Sequence, residues 1–109
     1  MAKSSAARDI AWSDIDRLVH EPARLMIVSH LYVIESADFL FVMRQTGLTQ
    51  GNLSSHLTKL EAAGYVTVTK EFVDKRPRTL LTLTKQGRLA FRGYLARMRT
   101  LLDQIAPGR

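Results

Sequence analysis

The stretch TQGNLSSHLTKLEAAGYV, residues 49–66, holds a helix with two unlike sides. Leu53, Leu57 and Leu60 recur at i, i+4 and i+7, which puts them on one inward stripe of a 3.6-residue period. Thr49 stands where an N-cap belongs, and Gly64 supplies the residue that can turn left-handed past the end. The other side is Gln, Gly, Asn, Ser, Thr and Lys, and Glu61 is the one acid in the helix. Solvated helices usually carry Glu/Lys pairs on that side. Here small donors and acceptors leave room for close approach to another polar surface.

Upstream, SADFLFVMRQTG (residues 36–47) is expected to be a helix capped by Ser36. Phe39, Leu40, Val42 and Met43 would pack inward, and Gly47 would end it in a tight turn. Two helices joined in this way form a helix-turn-helix pattern. Before them, EPARLMIVSHLYVIE starts a helix with Pro22 at its first position, where the missing N–H costs nothing. Leu25, Ile27, Val28, Leu31 and Ile34 give it a broad apolar face. A short helix capped by Ser13, with Asp14 and Asp16 in its first turn, is expected to run to about His20. It would carry Trp12, Ile15, Leu18 and Val19 on one side. Residues 1–11 read as a loosely ordered, flexible tail.

Downstream, the period changes from 3.6 to 2. YVTVTKEF alternates Val66 and Val68 with Thr67 and Thr69, TLLTLT is a second strand, and the polar VDKRPR between them makes a charged hairpin tip. Thr84 caps a long last helix that Pro107 and Gly108 close. The fold class is therefore mainly α with a small β-hairpin (α+β), a winged helix-turn-helix. One domain spans residues 12–106, with extra terminal helices over about residues 12–20 and 85–106.

The chain has 109 residues, 46% apolar and 24% charged, which fits one small folded domain rather than a disordered chain. It has no cysteine, which excludes a disulfide scaffold, a thiol nucleophile and a cysteine-ligated metal. No apolar run reaches the roughly 20 residues that span a bilayer. MAKSSAARD lacks a signal-peptide core, so a cytoplasmic protein with no membrane partner is expected. Charge is uneven. Residues 1–47 carry five Lys/Arg against six Asp/Glu, and residues 48–109 carry eleven against four. A half with net charge +7 is the footprint of a polyanion partner, double-stranded DNA above all.

The sequence from Gly51 to Phe91 closely resembles the winged-helix DNA-binding family related to the MarR, ArsR and PadR transcriptional regulators. The matching residues are Gly51-Asn52-Leu53-Ser54, His56-Leu57, Leu60-Glu61, Ala63-Gly64-Tyr65, Lys70, Arg76, Thr79, Leu83-Thr84 and Gly87-Arg88. The likeness runs in order over about residues 22–100. It implies a bacterial or archaeal transcription factor, typically a homodimer joined through its terminal helices.

In helix-turn-helix proteins the N-terminal residues of the second helix reach base edges. Thr49, Gln50, Asn52, Ser54 and Ser55 are the candidates here, with Lys59 on phosphate. On the tip, Arg76 is the candidate for a narrow minor groove, which attracts arginine, with Lys75 and Arg78 on phosphates. Pro77 would stiffen the turn. His56, at the edge of the leucine stripe, is either a hydrogen-bonded structural side chain or a DNA contact.

Tyr94, Leu95, Met98, Leu101, Leu102 and Ile105, together with Phe91, form an apolar face wider than so small a domain can cover. With Trp12, Ile15, Leu18 and Val19 it is the expected self-association surface of a C2 homodimer. His20, His30 and His56 lack ligand-like spacing, and no nucleophile triad or phosphate loop stands out, so neither an enzyme nor a bound metal or cofactor is expected. Trp12, Tyr32, Phe39 and Tyr94 could line a small-molecule effector pocket at the dimer interface or be plain core. A protein-interaction module that reuses the fold is the alternative to a DNA reader.

Overall fold

A computed structural model describes residues 12–108. Helix α1 (Pro22–Ile34) opens on its proline, and the Glu21 carboxylate accepts from the Arg24 N–H at 2.8 Å as its cap. Hydrogen bonding to Arg24 N–H, with the nearby Arg24 side chain adding to it, holds the Glu21 pKa below its usual value. The helix ends where Glu35 turns left-handed at φ 71°. Strand β1 (Ser36–Asp38) follows, then helix α2 (Phe39–Thr46), helix α3 (Gln50–Ala62), strands β2 (Val66–Val73) and β3 (Arg76–Leu83), and helix α4 (Lys85–Ile105). The three strands form one antiparallel sheet in the order β1-β3-β2.

The expected glycine stops and caps between α2 and α4 are in place. Gly47 and Gly64 take φ of 75° and 81°. Thr49 accepts from the Asn52 N–H at 3.1 Å, and Thr84 accepts from the Gly87 N–H at 2.9 Å while donating to the Gly64 carbonyl at 2.6 Å. Gly87 is required by close approach, because a Cβ there would clash with the Tyr65 carbonyl and the Leu83 side chain. The core gathers one face of each element: Ile27, Val28 and Leu31 from α1, Val42, Leu53 and Leu60 from the helix pair, and Val66 and Leu81 from the sheet, all fully buried. Each such side chain contributes roughly 1.5–3 kcal/mol relative to exposure.

Three expectations are corrected. Residues 36–38 are strand, not the start of a helix. Ala37 is buried opposite Leu81, the Ser36 and Thr82 hydroxyls meet at 2.9 Å, and the cap of α2 is Asp38, whose Oδ1 accepts from the Leu40 N–H at 2.7 Å. The helix expected from Ser13 to His20 is a 3-10 turn at Trp12–Asp14 followed by irregular backbone. The Asp16 carboxylate accepts from the Leu18 and Val19 N–H groups, offering them partners that compete with a helical ladder. Third, the hairpin tip is not the whole of residues 73–78. It is Asp74 and Lys75, both at positive φ (54° and 65°), while Arg76, Pro77 and Arg78 already belong to β3.

The tail expected over residues 1–11 lies outside the described residues. Among the described residues no helix is long and apolar enough to cross a membrane.

Candidate nucleic-acid interface

The leucine stripe decides which way α3 faces. Leu53, Leu57 and Leu60 are buried, so Gln50, Asn52, Ser54, Ser55 and Lys59 are exposed, as is the capping Thr49. The Thr49 hydroxyl accepts within the cap and keeps its own hydrogen to donate. The helix divides its polar side between two directions. Gln50, Ser54, Thr58 and Glu61 line a groove of about 290 Å³ whose far wall is Val68 and Lys70 of β2 and Thr79 of β3, with Phe39 and Leu57 in it as well. Gly51, Asn52, Ser55, Lys59 and Ala62 do not line it and are open to solvent.

The hairpin register sorts the wing. Side chains alternate between faces along a strand, so Lys70, Thr79, Phe72 and Pro77 share the face that looks onto the groove. Glu71, Arg78, Val73 and Arg76 are on the other face. Lys75 and Arg76 are exposed. Arg78 is not a free cation. Its Nε lies 3.3 Å from Asp38 Oδ2, and its guanidinium is 3.8 Å from Glu71 Oε2. Asp38 thereby uses one carboxylate oxygen to cap α2 and the other to hold the base of the wing.

Family membership is settled by comparison. The model of the winged helix DNA-binding domain matches residues 23–102, most of the chain and all of this geometry. The chain belongs to the winged-helix DNA-binding family. It is 33% identical over 89 residues to an uncharacterized protein of Methanocaldococcus jannaschii, covering 82% of this chain and 97% of that one. The structure of a transcriptional regulator homologue from Pyrococcus horikoshii OT3 superposes with a TM-score of 0.80 at 31% identity, covering 84% of this chain and 90% of that one. A MarR-family transcriptional regulator from Silicibacter pomeroyi shares the fold, with a TM-score of 0.61 at 24% identity over 84% of this chain and 61% of its own. The likeness to the last of these shows the fold, and the family model makes the chain a winged-helix DNA-binding protein. Helix α3 occupies the place of the reading helix, and β2 and β3 form the wing.

In this winged-helix domain His56 is tied down. Arg24 donates to its Nδ1 at 3.1 Å, and Glu21 lies 3.9 Å from the same atom. Because a guanidinium only donates, Nδ1 accepts and the ring proton sits on Nε2. His56 therefore joins the reading helix to the start of α1. Sequence reasoning did not single out Thr58, Lys70 and Thr79 as site residues. Lys70 and Thr79 are directly opposed in register, a pairing that the period-2 alternation could have suggested only with the hairpin register known.

The expected self-association residues separate into two sets. Ile15, Val19, Tyr94 and Leu101 are buried within the chain, and Leu18 and Met98 pack partly against the core, so these six stabilise the domain itself. The Tyr94 hydroxyl also meets His20 Nδ1 at 2.8 Å, and burial pushes its pKa up. Trp12, Leu95, Leu102 and Ile105 stay 44–67% exposed. Within one chain the four aromatics considered for an effector pocket lie in separate places. Trp12 is exposed, Phe39 lines the α3 groove, and Tyr32 and Tyr94 both stack near Phe91. Among the described residues no group of three His, Cys, Asp or Glu could hold a metal ion.

Proposed function

We propose that this regulator binds a palindromic DNA operator as a homodimer. The N-terminal half of α3 enters the major groove, and Lys75 and Arg76 reach the flanking minor groove and backbone. The observation that carries the reading is the exposed, small and nearly acid-free side of α3 set beside the exposed Lys75 and Arg76 of the wing. Asn and Gln suit adenine edges, and Ser and Thr suit several bases. Exposed Leu95, Leu102 and Ile105 on α4 support pairing of two copies, which places two reading helices about one helical turn apart. Repression, by a dimer that blocks polymerase where it sits on the operator, is the mode proposed.

Selection of the purified protein against random duplex DNA at about 150 mM salt tests this. Enrichment of a palindrome with half-sites about ten base pairs apart is expected. Weak binding that vanishes with salt and enriches no sequence would contradict it and favour a protein-docking role.

A further inference from the structure

The outer end of the wing carries an apolar pair that phosphate contacts do not explain. Phe72 is 76% exposed, and the register sets it opposite Pro77, also exposed. They continue the row that begins in the core with Val66 and Leu83, passes through Val68 and Leu81, and reaches the groove at Lys70 and Thr79. This row faces the side of α3 that carries Gln50, Ser54 and Thr58. A scattered exposed apolar side chain needs no explanation. Phe72 instead ends an ordered row on the nucleic-acid side of the domain, with Lys70, Lys75 and Arg76 nearby in the hairpin.

We infer that Phe72, backed by Pro77, is an apolar wedge for the minor groove of duplex DNA. It packs against sugar edges and presses into one base step while the wing cations meet the phosphates on either side. The inference rests on the DNA-reading role proposed above. The cations select the occupant, because the exposed Lys70, Lys75 and Arg76 outnumber the one exposed acid of the hairpin, Asp74, and a net positive rim favours a polyanion over an apolar protein surface. Wedges of this kind partly unstack a step and kink the duplex. Unstacking is easiest at pyrimidine–purine steps, so Phe72 gives the protein a sequence preference at a position where it makes no hydrogen bond. Pro77 suits the role, since its ring fixes φ behind the wedge. It lies where β3 has a neighbour on one side only, because β1 pairs no further out than Leu80.

The test uses the duplex recovered by selection and compares wild type, Phe72→Ala and Arg76→Gln across a salt series. An apolar contact releases no counterions, so Phe72→Ala is expected to bind about tenfold more weakly with the salt slope unchanged, whereas Arg76→Gln lowers the slope. Trp12 is the one tryptophan of the chain, so a Trp12→Phe, Phe72→Trp double variant reports from the wedge alone. Its emission is expected to be quenched by the duplex. Because residue 72 is exposed, unchanged thermal melting should accompany both Phe72 substitutions. If Phe72→Ala binds like wild type and the double variant's emission ignores the duplex, the wedge is overturned while the DNA-reading role stands. If wild type itself binds no duplex, both fall together.

Discussion

Helices α3 and α4 each leave one side without a partner inside the chain, and the two sides are chemically opposite. On α3 the open side is Asn52, Ser54, Ser55, Thr58 and Lys59. On α4 it includes Leu95, Leu102 and Ile105, each more than two-fifths exposed. An apolar side in water is stabilised by covering it with protein. A small polar side gains little from that but fits the donors and acceptors of a DNA groove. One small chain therefore presents two unlike open surfaces, a polar one on α3 and an apolar one on α4, and the proposed function gives the first to DNA and the second to another copy.

The largest effect should come from the side of α3 that both roles share. Leu53 is fully buried, and Leu53→Ala is expected to cost about 2–5 kcal/mol of stability, measured by denaturant unfolding. A comparable loss from Ser55→Ala would mean that the two sides of α3 are not distinct. Next, Leu95→Glu with Leu102→Glu should convert dimers to monomers in sedimentation and weaken binding to a two-half-site duplex by about a hundredfold through lost avidity. Monomers that still bind as tightly as wild type would separate dimerisation from reading. Asn52→Ala should lose about 1–3 kcal/mol of affinity for the selected duplex. Its unfolding should stay within about 0.5 kcal/mol of wild type. Within the wing, Arg76→Gln should lower the salt slope by about one, and Arg78→Gln by less, since Asp38 and Glu71 already hold that guanidinium.

The smallest effect concerns the turn between α3 and β2. Burial, and then the Asp16 carboxylate that accepts its O–H at 2.6 Å, push the Tyr65 pKa from 10.0 up to about 12. The folded chain holds this proton more tightly than the unfolded one. The contribution is complete below pH 10 and is lost as pH climbs towards 12. Tyr65→Phe should flatten the alkaline decline in stability, and an identical decline in both proteins would place the titration elsewhere.

The reading side of α3 was legible because three leucines at helical spacing fix its orientation, and local caps and glycines fix its ends. The same held for Thr84 and the start of α4. β1 was not legible. Three residues are too few for a period, and Ala37 is held by Leu81, distant in sequence. That one miss hid the Asp38–Arg78 contact and left Arg78 assigned to phosphate. The wing tip was misplaced because non-glycine residues, Asp74 and Lys75, take the positive φ while Pro77 nearby has the look of a turn. On α4, spacing identified an apolar face but could not divide it, since the segment containing Ile15 and Val19 packs into the core without being a helix.

Methylation interference on the selected duplex tests the division of labour most directly. Guanine N7 lies in the major groove and adenine N3 in the minor groove. Interference at N7 within each half-site and at N3 in the flanks is the result expected if α3 enters the major groove and the wing the minor groove. Binding that tolerates N7 methylation throughout both half-sites would contradict the account of α3 as the reading helix.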